Sequence, residues 1–77
     1  MMRILIVGGG KTAEEVIKSL DLKKNTVYVV ETQPERKEAI MSKYDVVVIG
    51  KDARDPSLYA NDINMDQIDM VLALTDS

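Results

Sequence analysis

The chain has 77 residues, of which 45% are hydrophobic and 30% charged, and this predicts a single globular domain rather than disorder. It contains neither cysteine nor histidine, so disulfides, thiolate metal sites and Ser-His or Cys-His nucleophile pairs are excluded. The formal net charge of −3 argues against nucleic-acid binding, which needs a basic face, and no apolar run approaches the ~20 residues of a membrane span.

The first half of the chain alternates strand and helix patterns. Arg3–Val7 is a short β-branched run that ends at a glycine cluster, which predicts a buried strand. Residues 13–20 carry apolar side chains at i, i+3, i+4 and i+7, which is one helical face. Thr26–Val30 predicts a second strand. A second helix is expected over residues 34–42, because proline suits the first position of a helix.

The second half continues the alternation with shorter elements. Residues 45–49 predict a third strand, closed by a glycine. Asp-Pro-Ser predicts a short helix over residues 55–60, and the polar residues 61–69 are expected to turn the chain back. Residues 70–74 predict a fourth strand. The order is therefore β-α-β-α-β, a short helix, and β.

The strand patterns predict a parallel sheet. Ile4 and Ile6 face one side of the first strand while Leu5 and Val7 face the other, so both faces of the sheet need cover. Right-handed crossovers then place both helices on one face and give the strand order 3-2-1-4. On the opposite face only residues 50–69 offer cover. We expect a three-layer α/β half-domain with one face poorly covered.

The segment after the first strand carries the clearest motif. It fits the pattern G-x-G-x-x-G/A between a strand and a helix, and reads Gly8-Gly9-Gly10-Lys11-Thr12-Ala13. The first glycine of the pattern allows the tight turn, the second lets a pyrophosphate approach, and the small Ala13 lets helix and strand pack closely. The helix amino terminus then faces phosphate. The alternative is a glycine turn that only shapes the junction.

Two further segments extend the predicted site. Glu31 ends the second strand, where a carboxylate accepts hydrogen bonds from ribose hydroxyls and repels a 2′-phosphate; this favours NAD(H), ATP or ADP over NADP. Its alternative is a solvated charge at a strand end. Asp52 follows the third strand, where it could meet the adenine or ribose. The alternative is that this loop is a simple turn in which Asp55 caps the following helix. The acids Asp62, Asp66 and Asp69 lack a calcium-loop spacing and are interpreted as a solvated face.

These motifs together carry a family resemblance. The chain resembles the N-terminal nucleotide-binding Rossmann lobe of the TrkA/RCK family, the cytosolic regulators of potassium channels and transporters. The resemblance spans essentially the whole chain, and its most specific segment is the terminal Ala-Leu-Thr-Asp. The segments that carry it are Ile4-Leu-Ile-Val-Gly-Gly-Gly, Val29-Val-Glu31, Pro34-Glu-Arg36, Gly50 with Asp52-Ala53 and Asp55-Pro56, and Val71-Leu-Ala-Leu-Thr-Asp76.

The resemblance implies a ligand and a set of contacts. Such lobes bind NAD(H), ATP or ADP and form dimers that assemble into rings, and nucleotide exchange changes the ring's shape and gates a potassium pore. Glu31 would hold the ribose, Asp52 and Ala53 would border the adenine, and Thr75 would lie near the phosphates. The cofactor-binding residues implied are Gly8, Gly9, Gly10, Lys11, Thr12, Glu31, Thr32, Asp52, Ala53 and Thr75.

The chain also departs from the family pattern. Lys51 stands between Gly50 and Asp52, where the family has Gly-Asp adjacent, and Ala13 replaces the third glycine. These 77 residues do not include the later strands of the family's lobe or its C-terminal ligand-binding lobe. We therefore expect residues 1–77 to form one partial domain, either as a fragment of a longer protein or as a natural half-domain.

The preferred function is a cytoplasmic, non-enzymatic regulatory module of a potassium channel or transporter, with no direct membrane insertion. So short a chain is expected to form a homo-oligomer, because a small core supplies little stability; two copies would cover the bare face and the fourth-strand edge. The alternatives are the cofactor-binding region of an NAD-dependent oxidoreductase and an interaction module without ligand.

Overall fold

The computed structural model describes residues 1–74 of the chain. Within these residues, the predicted order of α-helices and strands is observed, and short helical turns join the third strand to the fourth. The bounds are β1 Arg3–Val7, α1 Lys11–Ser19, β2 Thr26–Val30, α2 Pro34–Lys43, β3 Val47–Ile49, a π-helical turn Leu58–Asp62, a 3-10 turn Met65–Gln67 and β4 Met70–Ala73.

The sheet has the predicted topology. All neighbouring strands are parallel, and their order is β3-β2-β1-β4. The register pairs Ile4 of β1 with Val27 of β2 and with Met70 of β4. Because the strands are parallel, the carboxyl ends of β1, β2 and β3 meet along one edge of the sheet, where ligands bind in open α/β folds.

The short helix predicted over residues 55–60 begins as expected but widens. The N–H of Ser57 donates to the Asp55 carboxylate at 2.9 Å, which starts the turn. The N–H of Ile63 then reaches the carbonyl of Leu58, a bond that spans five residues. Leu58 and Ile63 are both buried, at 0% and 4% exposure, so the wider turn lets two apolar side chains reach the sheet together.

The first face of the sheet carries the helices. Ile17 of α1 and Ile40 of α2 are buried against the β1 side chains Ile4 and Ile6, with Val29 of β2 beside them. Helix α2 buries Ile40 alone among its residues, so its apolar stripe is thin, as the sequence predicts. Two regular helices therefore account for the cover of this face.

The second face carries the connection between β3 and β4. Leu58 and Ile63 pack on Leu5 and Val30 and bury the middle of the sheet. The incomplete cover expected from the sequence is confined to the outer strands, where Val47 and Val71 are each about half exposed. Apolar side chains at the margins of a sheet are surfaces on which another chain can pack.

Strand β4 is the least covered strand among the described residues. Met70, Val71 and Ala73 are exposed and only Leu72 is half-buried.

No helix within residues 1–74 combines the length and the apolar character that crossing a membrane requires.

Candidate functional site

The glycine segment joins β1 to α1 in a conformation that its sequence makes possible. Gly8 has a φ of 103°, in the left-handed region that favours glycine, and its N–H donates to the carbonyl of Val30 at 2.9 Å. Gly10 is the N-cap of α1 and has no side chain with which to cap it. The first N–H groups of α1 therefore remain available to an anion, as a phosphate site requires.

Glu31, directly after β2, is buried rather than solvated. Only 6% of its surface is exposed, and it is the one buried polar or charged residue within residues 1–74. Its Oε1 accepts the N–H of Gly9 at 2.7 Å, and its Oε2 accepts the N–H of Gln33 at 2.8 Å. Arg36 Nη1 lies 4.0 Å from Oε1. The interpretation as a solvated strand-end charge is therefore wrong.

Gly9 is required by this carboxylate. A Cβ atom at position 9 would stand 3.1 Å from both Cβ and Cγ of Glu31 and 3.2 Å from its Oε1. The sequence motif assigns no role to the middle glycine, because its pattern leaves that position open. The role of Gly9 follows from the burial of Glu31 after β2. That burial depends on residues distant in the sequence, so the local motif does not reveal it.

A crevice of about 300 Å³ opens at the carboxyl ends of β1, β2 and β3. It unites five of the predicted site residues from three separate segments of the chain. Its lining consists of Val7, Gly8, Val30, Glu31, Thr32, Lys51, Asp52, Ala53 and Arg54. The loops after these three strands therefore border one cavity.

The other predicted residues lie outside this crevice. Gly9, Gly10 and Lys11 line a second recess of about 360 Å³, which lies between the beginnings of α1 and α2. Thr12 is exposed and lines neither cavity. Thr75 lies outside the described residues. The hydrogen bond from Gly9 to Glu31 thus joins the lining of the recess to that of the crevice.

Charged residues form the wall of the crevice after β3. Arg54 donates to the Asp52 carboxylate through Nε at 3.1 Å and Nη2 at 2.9 Å, and its own N–H adds a third bond. These bonds, the side-chain ones first, lower the pKa of Asp52 from 3.8 to about 2. Asp52 therefore lines the crevice as an ionised group that is already engaged by its neighbour.

Lys51, the residue that departs from the family pattern, binds the connection. Its Nζ lies 2.5 Å from an Asp62 carboxylate oxygen and donates to the Ser57 hydroxyl at 2.9 Å. The hydroxyl of Tyr59 donates to the carbonyl of Ala53, so the same wall is tied to the π-helical turn a second time. Lys51 therefore connects the wall after β3 to the β3–β4 connection that covers the second face of the sheet.

Two of the three acidic residues before β4 have structural partners. Asp62 pairs with Lys51, and Asp69 accepts the N–H of Arg3 at 2.8 Å at the amino end of β1. Asp66 is exposed. Nowhere in residues 1–74 do three or more acidic side chains cluster in a way that could hold a metal ion.

Comparison with protein-family models matches residues 4–77 to the TrkA-N domain. The match covers nearly the whole chain, including the glycine segment, Glu31 and the residues after β3. No curated protein matches the chain.

Proposed function

The chain belongs to the TrkA-N domain family of Rossmann-type nucleotide-binding domains, and we propose that it binds an adenine nucleotide in the crevice at the carboxyl ends of β1, β2 and β3. The observation that carries the proposal is the shared cavity of Gly8, Glu31 and Asp52, which belong to three different strand ends. A cleft at this edge of a parallel sheet is the usual nucleotide site of such folds.

In the proposed complex the phosphates meet Gly8, Gly10 and Lys11 at the amino terminus of α1, with Thr12 nearby. The ribose lies against Glu31 and Thr32. A carboxylate has about four lone-pair positions, and two are used by the N–H groups of Gly9 and Gln33. The remaining positions can accept ribose hydroxyls.

The adenine end of the proposed complex borders Asp52 and Ala53. Arg54 is exposed beside them, and its flat guanidinium can stack on an adenine ring. A ribose 2′-phosphate would meet the negative charge of Glu31, so the proposed ligands are NAD(H), ATP or ADP rather than NADP.

The proposed role is regulation of potassium transport by a cytoplasmic module. Binding of different nucleotides would shift the populations of two assembly shapes and so gate an attached channel or transporter. The exposed apolar side chains of Met70 and Val71 on β4 support association with further copies, because uncovered edge strands favour pairing. This role requires no catalytic step.

The proposal is tested by calorimetric titration of the chain with NADH, NAD, ATP, ADP and NADP. Thr32 is exposed and lines the crevice, so the larger side chain of Thr32→Trp should fill the site and weaken binding about tenfold or more. The matched control is Lys24→Trp. Lys24 is exposed in the loop before β2, at the opposite edge of the sheet from the crevice. It should leave binding unchanged.

Each outcome separates the functions under consideration. Micromolar binding that Thr32→Trp weakens and Lys24→Trp preserves supports the crevice site, and a shift in light-scattering mass between ADP and ATP supports the regulator. Binding of NAD alone without any change in assembly favours a region of an oxidoreductase. No binding of any of the five nucleotides contradicts the proposal and favours an interaction module.

A further inference from the structure

We propose that Glu31 is a positioning residue for the phosphate-binding loop, in addition to its proposed contact with the ribose. The inference rests on the proposed nucleotide site and adds a coupling between its two ends. The bond from Gly9 N–H to Glu31 Oε1 fixes the glycine loop in its binding shape, so the carboxylate sets phosphate affinity although it carries the wrong charge for phosphate.

The geometry of this bond makes it strong. The donor–acceptor distance is 2.7 Å and the acceptor is a carboxylate, which makes the bond charge-assisted. Glu31 is only 6% exposed, so water competes little for its oxygens. Oε2 is held at the same time by the N–H of Gln33, the N-cap of α2. The carboxylate is therefore held from both sides and cannot turn away from Gly9 at low cost.

The loop needs such an anchor. Gly8, Gly9 and Gly10 are three consecutive glycines, the residue type that loses most backbone freedom on ordering. A loop that is not already ordered must be ordered by its ligand, and that cost is subtracted from affinity. Gly10 and Lys11, which follow the anchored residue directly, form the beginning of α1, where phosphate is proposed to bind.

Two roles of Glu31 predict opposite signs for one measurement. If the carboxylate serves the ribose alone, neutralising it removes repulsion and raises the affinity for a ligand that consists of phosphate only. If it positions the loop, neutralising it weakens the bond to Gly9 and lowers that affinity. Pyrophosphate has no ribose, so it separates the two roles.

The experiment is an NMR titration of the chain with pyrophosphate, for the wild type and for Glu31→Gln. We expect about tenfold weaker binding in the variant, because glutamine replaces the charge-assisted bond to Gly9 with a weaker neutral one. The matched control is Glu35→Gln, which removes the same charge from an exposed residue in the first turn of α2. It should bind pyrophosphate as well as the wild type or slightly better.

A second readout needs no ligand. Hydrogen exchange of the Gly9 amide should be slow in the wild type and in Glu35→Gln, and clearly faster in Glu31→Gln at an unchanged melting temperature. If Glu31→Gln does not fold, Glu31→Asp keeps the charge while its shorter side chain lengthens the contact, and its Gly9 amide should likewise exchange faster.

Unchanged or tighter pyrophosphate binding in Glu31→Gln overturns the inference, and so does a wild-type Gly9 amide that exchanges as fast as an exposed one. Failure of the proposed function is recognised separately, because the wild type would then bind none of the adenine nucleotides. The exchange of the Gly9 amide still decides the positioning role in that case.

Discussion

The two walls of the crevice are built on different physical principles. The glycine-loop wall, formed by Gly8 and Glu31 and backed by Gly9, is held by backbone hydrogen bonds to a buried carboxylate. The wall of residues 51–54 is held by charged side chains near the surface, and Arg54 is 90% exposed. Buried charge-assisted bonds resist solvent, whereas exposed ion pairs contribute little to stability.

This difference shows where the support of each wall lies. The glycine-loop wall supports itself, because its acceptor and its donors lie within the wall or directly beside it. The 51–54 wall depends on the connection behind it, to which Lys51 and the Ala53 carbonyl are bound. That connection is in turn anchored to the sheet by Leu58 and Ile63. We therefore expect the buried apolar side chains of the connection to stabilise the second wall more than its exposed ion pairs do.

The largest expected effect comes from removing that anchor. Leu58→Ala should lower the free energy of unfolding by about 2–5 kcal/mol, because Leu58 is completely buried between the connection and the sheet. Chemical denaturation measures the loss. Tyr59→Ala is the neighbouring control, since this residue is 41% exposed and should cost less. Equal losses in the two variants would contradict the assignment of Leu58 as the support of the second wall.

An intermediate effect distinguishes two glycines beside the site. Gly9→Ala should cost about 1–3 kcal/mol of stability, because its new methyl group meets Glu31, whose carboxylate is held by two bonds and gives way poorly. Gly50→Ala is the matched control: its methyl group meets the flexible end of Lys37 at 3.3–3.7 Å, which can move. It should be neutral or slightly stabilising, because alanine restricts the unfolded chain.

Thermal melts of the two glycine variants provide the measurement. If Gly9→Ala melts at the wild-type temperature, then the Glu31 side chain moves aside at little cost. Its two hydrogen bonds would then restrain the glycine-loop wall only weakly. The comparison between the two walls would then lose its basis.

The smallest effect is expected at Asp52 and depends on pH. Its pKa is about 2 in the folded chain against an ordinary value of 3.8, because Arg54 donates to the carboxylate through its side chain and its N–H. Because the pKa of Asp52 is lower in the folded chain, its ionised carboxylate stabilises the fold above pH 3.8. This contribution is lost as the pH falls through about 2. Asp52→Asn should therefore be less stable than the wild type near neutral pH, and the difference should disappear as the pH falls through about 2.

Denaturation curves of both proteins across this pH range check the sign. A stability difference that is constant with pH would mean that the ion pair with Arg54 contributes nothing. Asp66→Asn is a suitable control, since Asp66 is an exposed acid on the 3-10 turn away from the crevice.

Much of the architecture could be predicted from the chain. The bounds of β1 and β2 agree with the predicted strands to the residue, because short β-branched runs between polar or glycine segments have one favourable assignment. The strand order followed from right-handed crossovers and from the apolar side chains on both faces of the strands. The third strand is two residues shorter than predicted, since only Val47–Ile49 pair with β2.

By itself, then, the sequence determined the α/β class, the strand order and the glycine loop before the first helix, since these depend on local pattern and chirality. The tertiary structure alone decided that Glu31 is buried on Gly9, that Leu58 and Ile63 cover the second face, and that Asp52 is engaged by Arg54. Burial and the competition for hydrogen-bond partners depend on which distant segments meet, and no local pattern contains that information.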